Sequence, residues 1–139
     1  ATAPRFVIES GRVQGYFLSS YSARKLGMRT TANAGGAHNL HLNHTCATQA
    51  DLLRQMGSGL LVTELMGQGV NMLTGDYSRG AAGFWVENGV IAYPVQEITI
   101  AGRYQDMYRH IAGVADDALK RSAHKVGSVL VEEMTVAGA

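Results

Sequence analysis

Residues 81–95 read AAGFWVENGVIAYPV, and they give the clearest secondary-structure signal of the chain. Two runs rich in β-branched and aromatic residues flank Asn88 and Gly89. An Asn-Gly pair between such runs is the strongest short-range signal for a β-hairpin, because both residues of a type I′ turn need positive φ. The stretch therefore predicts strands at 81–87 and 90–95. Pro94 has no N–H, so we expect it at a sheet edge or a bulge.

The residues immediately before the hairpin predict a strand and a loop. Residues 59–65 are apolar and β-branched enough for a strand, and residues 66–80 are glycine-rich and polar, which predicts an ordered loop. Further upstream, Thr48 and Asp51 have the spacing of a capping box. They predict a helix that ends at Gly57.

The start of the chain predicts a smaller hairpin and a short helix. Residues 5–9 and 13–18 read as strands that meet at Ser10-Gly11, which is a turn signal. Residues 19–26 then predict a helix that ends at Gly27, because glycine readily adopts the left-handed conformation of a helix C-terminus. The chain begins without Met, which suggests a fragment or a processed protein.

The segment after the hairpin predicts one helix and a last strand. Residues 103–114 have apolar side chains at helical spacing, and residues 128–136 are strand-like. The apolar face of that helix would carry Tyr104, Met107, Tyr108, Ile111 and Val114. Residues 97–102 (EITIAG) resemble residues 133–138 (EMTVAG), so we expect two equivalent strand ends in one sheet.

These elements predict an α+β fold with a mostly antiparallel sheet and two or three helices. With 139 residues, the chain is long enough for one domain with its own core, so we expect a single domain over residues 1–139.

Composition excludes several classes of function. The 12 basic and 11 acidic residues give a net charge of +1 without any block of like charge, which argues against a nucleic acid as partner. Cys46 is the only cysteine, so a disulfide framework within the chain is excluded and a reducing cytoplasm is expected. No apolar run approaches the length of a membrane helix, so no membrane partner is expected.

A cluster of nitrogen and sulfur donors lies in residues 28–47, which otherwise predict a loop. Residues 38–46 read HNLHLNHTC, and His38, His41, His44 and Cys46 could supply a tetrahedral zinc site. A second ligand group is missing elsewhere in the sequence, so we favour an exposed polar loop with no metal in this chain. Cys46 as a nucleophile would need a histidine partner and an orienting group, and a small thiol without a catalytic role is favoured.

The glycine-rich segment from Glu64 to Gly80 is the candidate functional surface. It matches neither a phosphate-binding loop nor a serine-hydrolase elbow, so no catalytic residue is assigned. A long ordered loop of this kind is typical of a binding surface. The candidate substrate-binding or interface residues are Glu64, Gln68, Asn71, Asp76, Ser78 and Arg79. We expect Arg79 to pair with a carboxylate, from Asp76, Glu64 or a partner. Apolar residues are expected to anchor the loop on the core: Met66, Val70, Met72, Leu73 and Tyr77.

Long stretches of the chain resemble the TldD/PmbA family. Residues 59–89 (GLLVTELMGQGVNMLTGDYSRGAAGFWVENG) and 93–102 (YPVQEITIAG) are similar to the signature of its PmbA (TldE) type. Residues 15–27 (GYFLSSYSARKLG) resemble a strand-then-helix segment of the family, and residues 127–138 (GSVLVEEMTVAG) resemble its carboxy terminus. The resemblance covers nearly the whole chain.

The resemblance implies the carboxy-terminal part of a longer protein. PmbA-type members pair with TldD into a heterodimer that processes peptides, including a microcin precursor and an antitoxin. TldD carries zinc on an H-E-x-x-x-H motif, which is absent from this chain, and takes a cysteine ligand from a region similar to residues 123–128, where this chain has none. The family therefore implies a subunit without its own zinc, which contributes chamber wall and interface.

Two other functions stay open at this point. The family was first named for modulation of DNA gyrase, so the chain could be a protein-binding regulator without proteolysis. The His38–Cys46 cluster would instead imply a metal-binding enzyme. The sequence also leaves open whether the protein pairs with itself.

Overall fold

The computed structural model describes residues 3–138 of the chain, which form two compact units. The first unit ends at His41 and the second begins at Leu42. A single domain over residues 1–139 stays a prediction.

The first unit holds a small hairpin and one helix. Strands β1 (Ile8–Glu9) and β2 (Arg12–Val13) pair antiparallel, and Ser10 and Gly11 between them have φ of 50° and 74°. The predicted turn is confirmed, but the strands are shorter than expected. Helix α1 (Ser20–Lys25) begins after Ser19, whose side chain accepts a hydrogen bond from the Ser22 N–H. Strand β3 (Leu40–His41) ends the unit.

The second unit begins with the helix that the capping box predicted. Helix α2 (Gln49–Met56) follows Thr48, whose hydroxyl accepts from the Asp51 N–H, while the Asp51 carboxylate accepts from the Thr48 N–H. This reciprocal pair satisfies two backbone donors that a helix start leaves free. The elements that follow are β4 (Gly59–Met66), β5 (Asp76–Glu87), β6 (Val90–Arg103), α3 (Tyr104–Arg109), β7 (Ile111–Val114), β8 (His124–Lys125), β9 (Val129–Val131) and β10 (Thr135–Ala137).

A four-stranded antiparallel sheet dominates this unit, in the order β10-β6-β5-β4. The hairpin at its centre is confirmed: Asn88 and Gly89 have φ of 52° and 76°, and Glu87 pairs with Val90. Pro94 pairs with Phe84 on one side only, because β10 reaches no further along β6 than residues 99–101. Its missing N–H therefore falls at a sheet edge, as expected.

Strand β5 is longer than its sequence suggested. It begins at Asp76, within the segment for which a loop was predicted, so the loop between β4 and β5 shrinks to residues 67–75. Gly80, at the end of the predicted loop, reduced the strand signal of residues 76–80. The structure tolerates it because the backbone ladder continues past it, with Gly80 opposite Thr99 and Ala81 opposite Ile98.

The prediction of one helix over residues 103–114 is wrong in its second half. Helix α3 ends at Arg109, and Ile111–Val114 form strand β7, which pairs with β9. The periodicity misled because short apolar runs fit a helix and a strand equally well. Pairing with β9, which lies far along the chain, decides the outcome.

The prediction of one strand over residues 128–136 is also wrong. The segment forms two short strands: β9 (Val129–Val131), which pairs with β7, and β10 (Thr135–Ala137), which joins the four-stranded sheet. The similar segments at 97–102 and 133–138 do lie in one sheet, and they pair with each other.

One core cluster of the second unit lies on one face of the four-stranded sheet and is formed by Tyr77, Ala81, Ile98 and Ile100, each at most 8% exposed. Other residues of the unit are buried outside this cluster: Leu52, Val86, Val114 and Ala115. Tyr104, Met107 and Met134 pack against this cluster from α3 and from the chain before β10. The fold is α+β with three helices among residues 3–138 and mostly antiparallel sheets, as the sequence predicted.

Candidate functional site

The loop between β4 and β5, residues 67–75, is tied to β5 by backbone hydrogen bonds. The Ser78 N–H donates to the Gly69 carbonyl over 2.7 Å, and the Asn71 N–H donates to the Asp76 carbonyl over 2.9 Å. A further bridge joins Val70 to Tyr77. The loop therefore continues the ladder beyond the end of β4 and holds a defined shape.

Two of the predicted site residues stabilise the tip of this loop. The Asn71 side-chain oxygen accepts from the Leu73 N–H over 3.0 Å and from the Thr74 N–H over 3.3 Å. The Thr74 hydroxyl donates to the Asp76 carboxylate over 2.6 Å. Local bonds of this kind are what favour Asn, Asp and Thr in turns. Asn71 and Asp76 thus act first on the loop itself.

Gly69 is required by the close approach of two backbone segments. A Cβ placed there would lie 1.4 Å from the Ser78 carbonyl oxygen and 3.3 Å from Arg79 Cγ. No side chain fits at that distance, so only glycine lets the loop lie against β5. The sequence signal for this residue was the Gly67-Gln-Gly69 run, but its reason is visible only in the structure.

Arg79 lies at the base of an open cleft of about 560 Å³. The cleft is lined by Arg79 and by the loop residues Gly67, Gln68, Gly69 and Val70. One Arg79 Nη donates to the Gly67 carbonyl over 2.7 Å, while its Nε is buried without an acceptor. Neither Asp76 nor Glu64 pairs with it, since no carboxylate of residues 3–138 lies within 4.0 Å of the guanidinium.

The structure divides the predicted site residues into three sets. Gln68 and Arg79 meet at the cleft, and Asn71 and Asp76 meet at the loop tip. Glu64 on β4 and Ser78 on β5 are exposed and line neither place. Their roles as binding residues stay predictions.

The prediction that apolar side chains anchor the loop is wrong for its tip. Tyr77 is buried and packs against Tyr104, with ring centroids 5.5 Å apart. Met72 and Leu73, by contrast, are 81% and 99% exposed. The backbone of the tip is held by hydrogen bonds to Asn71 and not by burial of Met72 or Leu73, whose side chains are exposed to solvent.

A second, larger feature of this unit is an apolar groove of about 950 Å³. Helix α2, the strands β4 and β9, and residues of β5, β6, β7 and β10 contribute to its walls. Strand β4 forms one margin of the sheet and pairs only with β5 among the described residues. The groove could not be predicted from the sequence, because its walls come from segments far apart in the chain. The apolar run of β4 was the one available signal.

One wall of the groove is fixed by a polar network around Ser128. The Ser128 N–H and hydroxyl both donate to the Asp117 carboxylate, each over 2.6 Å, and the Gln49 amide donates to the Ser128 hydroxyl over 2.9 Å. The hydrogen bond from the Ser128 hydroxyl lowers the pKa of Asp117, with the backbone bond acting in the same direction. At the start of α2, the hydrogen bond from the Thr48 hydroxyl similarly lowers the pKa of Asp51.

The histidine and cysteine cluster is divided between the two units. His38 and His41 belong to the first, and His44 and Cys46 to the second. His44 Nδ1 lies 3.7 Å from an Asp116 carboxylate oxygen, and the Cys46 thiol donates to the Val114 carbonyl over 3.5 Å. Within residues 3–138, no three His, Cys, Asp or Glu side chains converge as ligands of one ion. The described residues therefore do not fit a zinc ion.

None of the helices described over residues 3–138 is long and apolar enough to cross a membrane.

The fold defines an α+β module that carries an open apolar groove and a smaller cleft at Arg79. Residues 1–138 match the family model of the C-terminal domain of PmbA/TldA metallopeptidases. The chain belongs to the PmbA/TldD family and represents its carboxy-terminal part.

Curated relatives support the same family at high identity. The chain is 56% identical to a metalloprotease PmbA homolog of Haemophilus influenzae and 55% identical to metalloprotease PmbA of Escherichia coli O157:H7. Both matches cover 99% of this chain but only 31% and 30% of the relatives. The chain thus spans about a third of the length of these proteins.

Two crystal structures share the fold. One is of a candidate modulator of a DNA gyrase from Thermotoga maritima, 37% identical, with a TM-score of 0.87 over 98% of this chain and 33% of that one. The other is of a candidate modulator of DNA gyrase from Bacteroides thetaiotaomicron, 28% identical, with a TM-score of 0.91 over 100% of this chain and 31% of that one.

Proposed function

We propose that this chain is part of a PmbA-type subunit that works with a TldD-like partner in a zinc-dependent peptidase assembly. In this proposal the partner carries the zinc, and the chain supplies chamber wall, subunit interface and contacts to the peptide. The substrates are peptides of the microcin-precursor or antitoxin kind, processed in the cytoplasm. The names of the two curated metalloprotease relatives support a proteolytic role.

The observation that carries the proposal is the outer edge of β4 beside the apolar groove, which has no strand partner among residues 3–138. An edge strand presents unpaired N–H and C=O groups, and an extended peptide can add to it as a further strand. Main-chain hydrogen bonds then hold peptides of varied sequence, while the groove accepts their apolar side chains. Leu60, Val62 and Leu65 of β4 line that groove and supply the apolar contact.

The donor set of this chain supports the proposal that the partner carries the zinc. The described residues do not fit a zinc ion, and Cys46 engages backbone carbonyls. No catalytic step is therefore assigned to this chain. Its residues bind and orient.

The second candidate function is a protein-binding regulator without proteolysis. Met72 and Leu73 form an exposed apolar pair at a loop tip held by hydrogen bonds to Asn71, which favours contact with another protein. The two structural relatives described as candidate gyrase modulators support this direction. If this chain binds the zinc-bearing homologue but the complex does not turn over peptides, the regulator function is favoured.

The test blocks the edge strand without touching the core. Leu65→Lys places a charge on β4 where the side chain is 41% exposed, and Leu119→Lys is the control at a site that is 77% exposed and outside the groove. Each variant is mixed with a zinc-bearing homologue, and complex formation, peptide turnover and melting temperature are measured. We expect Leu65→Lys to lower turnover about tenfold, which corresponds to ~1.4 kcal/mol, with an unchanged melting temperature.

Equal turnover by the two variants would contradict peptide binding at the β4 edge. Failure of the unmodified chain to form any complex with the zinc-bearing homologue would contradict the subunit role.

A further inference from the structure

Arg79 lies on the buried face of the sheet. Side chains at alternate positions of a strand share one face, which groups Arg79 with Tyr77 and Ala81, both members of the core cluster. Its register partner on β6 is Ile100, which is 6% exposed. The Arg79 side chain therefore starts from the apolar face of the sheet and reaches the loop at Gly67.

The hydrogen bonds of this guanidinium are incomplete. It has five N–H donors, and the structure gives it one acceptor, the Gly67 carbonyl. Its buried Nε has none, and no carboxylate of residues 3–138 lies within 4.0 Å. Arg79 as a whole is half-buried, but its Nε is shielded from water, and partial desolvation of a cation is costly unless an anion or further acceptors compensate. The open side of the cleft is where such an anion can enter.

The position of the cleft indicates where the anion comes from. Gly67 directly follows Met66, the last residue of β4, so the cleft opens at the end of the edge strand. A peptide lying along β4 would bring one of its ends to Arg79. Gly67 and Gly69 have no side chains, which leaves the approach open.

We propose that Arg79 binds a carboxylate of the bound peptide, either its terminal carboxylate or an acidic side chain near that end. The inference rests on the proposed peptide-binding function and adds a preference to it. A carboxylate suits the planar guanidinium fork, which can donate two parallel hydrogen bonds to its two oxygens. Arg79 thereby fixes the position of the peptide end along β4.

The test uses fluorescent apolar pentapeptides with the 139-residue protein. One pair differs only in a terminal carboxylate or amide, and a second, amide-terminated pair differs only in Glu or Gln as the last residue. Dissociation constants are measured for the unmodified protein and for Arg79→Gln and Arg79→Lys. Arg109→Gln is the control, since its side chain is 75% exposed and lies on α3.

The unmodified protein should bind at least one carboxylate peptide about tenfold or more tightly than its neutral counterpart. The first pair identifies the terminal carboxylate as the ligand, and the second identifies the acidic side chain. Arg79→Gln should abolish the preference, Arg79→Lys should retain part of it, and Arg109→Gln should leave it intact.

The inference is overturned if the unmodified protein binds both members of each pair equally, if it binds none of them, or if the preference survives in Arg79→Gln. Should Arg79→Gln fail to fold, the peptide pairs on the unmodified protein and the Arg79→Lys variant decide the question. Equal, carboxylate-independent binding would remove the role of Arg79 but leave the peptide-binding function standing. Complex formation with the zinc-bearing homologue is measured separately and tests the subunit role alone.

Discussion

Ile100 on β6 and Val136 on β10 are register partners at the centre of a local two-fold arrangement. On either side of them Thr99 pairs with Ala137, and Ala101 pairs with Thr135. The two similar hexapeptides, residues 97–102 and 133–138, therefore pair antiparallel with one another, and a two-fold rotation relates equivalent residues of the two. Ile100 is 6% exposed and Val136 is 49% exposed, because β10 is the last strand of the sheet.

These equivalent residues should differ in their contribution to stability. Ile100→Ala should lower the free energy of unfolding by about 2–4 kcal/mol, because it removes buried methyl groups and leaves a cavity. Val136→Ala should cost less than about 1 kcal/mol at its half-exposed position. Urea unfolding of both variants tests this. Equal losses would show that β10 is covered in solution.

The turn at Asn88-Gly89 should resist any side chain at its second position. Gly89 has φ of 76°, and a Cβ there would lie 3.0 Å from the Cα of Arg54. Gly67 has φ of 72° with nothing within 4 Å, so Gly67→Ala measures the backbone cost alone, about 1 kcal/mol. Gly89→Ala should be destabilised by at least about 1 kcal/mol more, since backbone atoms must also move. Gly89→Val should be worse than either. Chemical denaturation of the three variants gives their free energies of unfolding. Equal losses of stability in the two alanine variants would show that the contact with Arg54 on α2 does not restrict position 89.

Acid should weaken the Asp117–Ser128 pair. The pKa of Asp117 is lowered in the folded protein, chiefly by the Ser128 hydroxyl, so the unfolded chain binds the proton more readily. The carboxylate therefore contributes stability above its ordinary pKa of about 3.9, and this contribution is lost as pH falls through the lower folded-state value. The melting-temperature gap between the protein and Asp117→Asn should be widest above about pH 5 and should narrow below pH 4.

Ser128→Ala provides the matched test of that cause. Without the Ser128 hydroxyl, the melting-temperature difference caused by Asp117→Asn should be smaller at neutral pH. Ser122→Ala is the control and should leave this difference unchanged, because the Ser122 hydroxyl accepts only from the His124 N–H among the described contacts. A gap that stays constant from pH 7 to about pH 3 would contradict the linkage.

The stability of the protein around the loop of residues 67–75 should depend on the buried Tyr77 and not on the exposed apolar side chains at the loop tip. Tyr77→Ala removes a buried ring and should cost about 3 kcal/mol or more. Leu73→Ser changes a fully exposed side chain and should stay within about 0.5 kcal/mol. Thermal unfolding of both variants measures this. A large loss in Leu73→Ser would mean that the tip is buried, within the chain or in a self-assembly that sedimentation would detect.

Features that depend only on neighbouring residues could be predicted from the sequence. The Asn88-Gly89 turn, the Thr48–Asp51 capping box and the turn at Ser10-Gly11 each follow from local backbone requirements, so a few residues were enough. The length of the resemblance determined the family, which the matched family model confirms. The α+β class followed from the alternation of these local elements.

Features that depend on distant partners became visible only in the folded chain. Ile111–Val114 became a strand because β9 lies beside it, and residues 128–136 were divided between two sheets for the same reason. The isolated guanidinium of Arg79 could not be read from sequence either, because the acids expected to pair with it are held elsewhere or exposed. Local patterns fix backbone conformation over a few residues, whereas strand pairing and burial depend on which distant segments compete for the same surface.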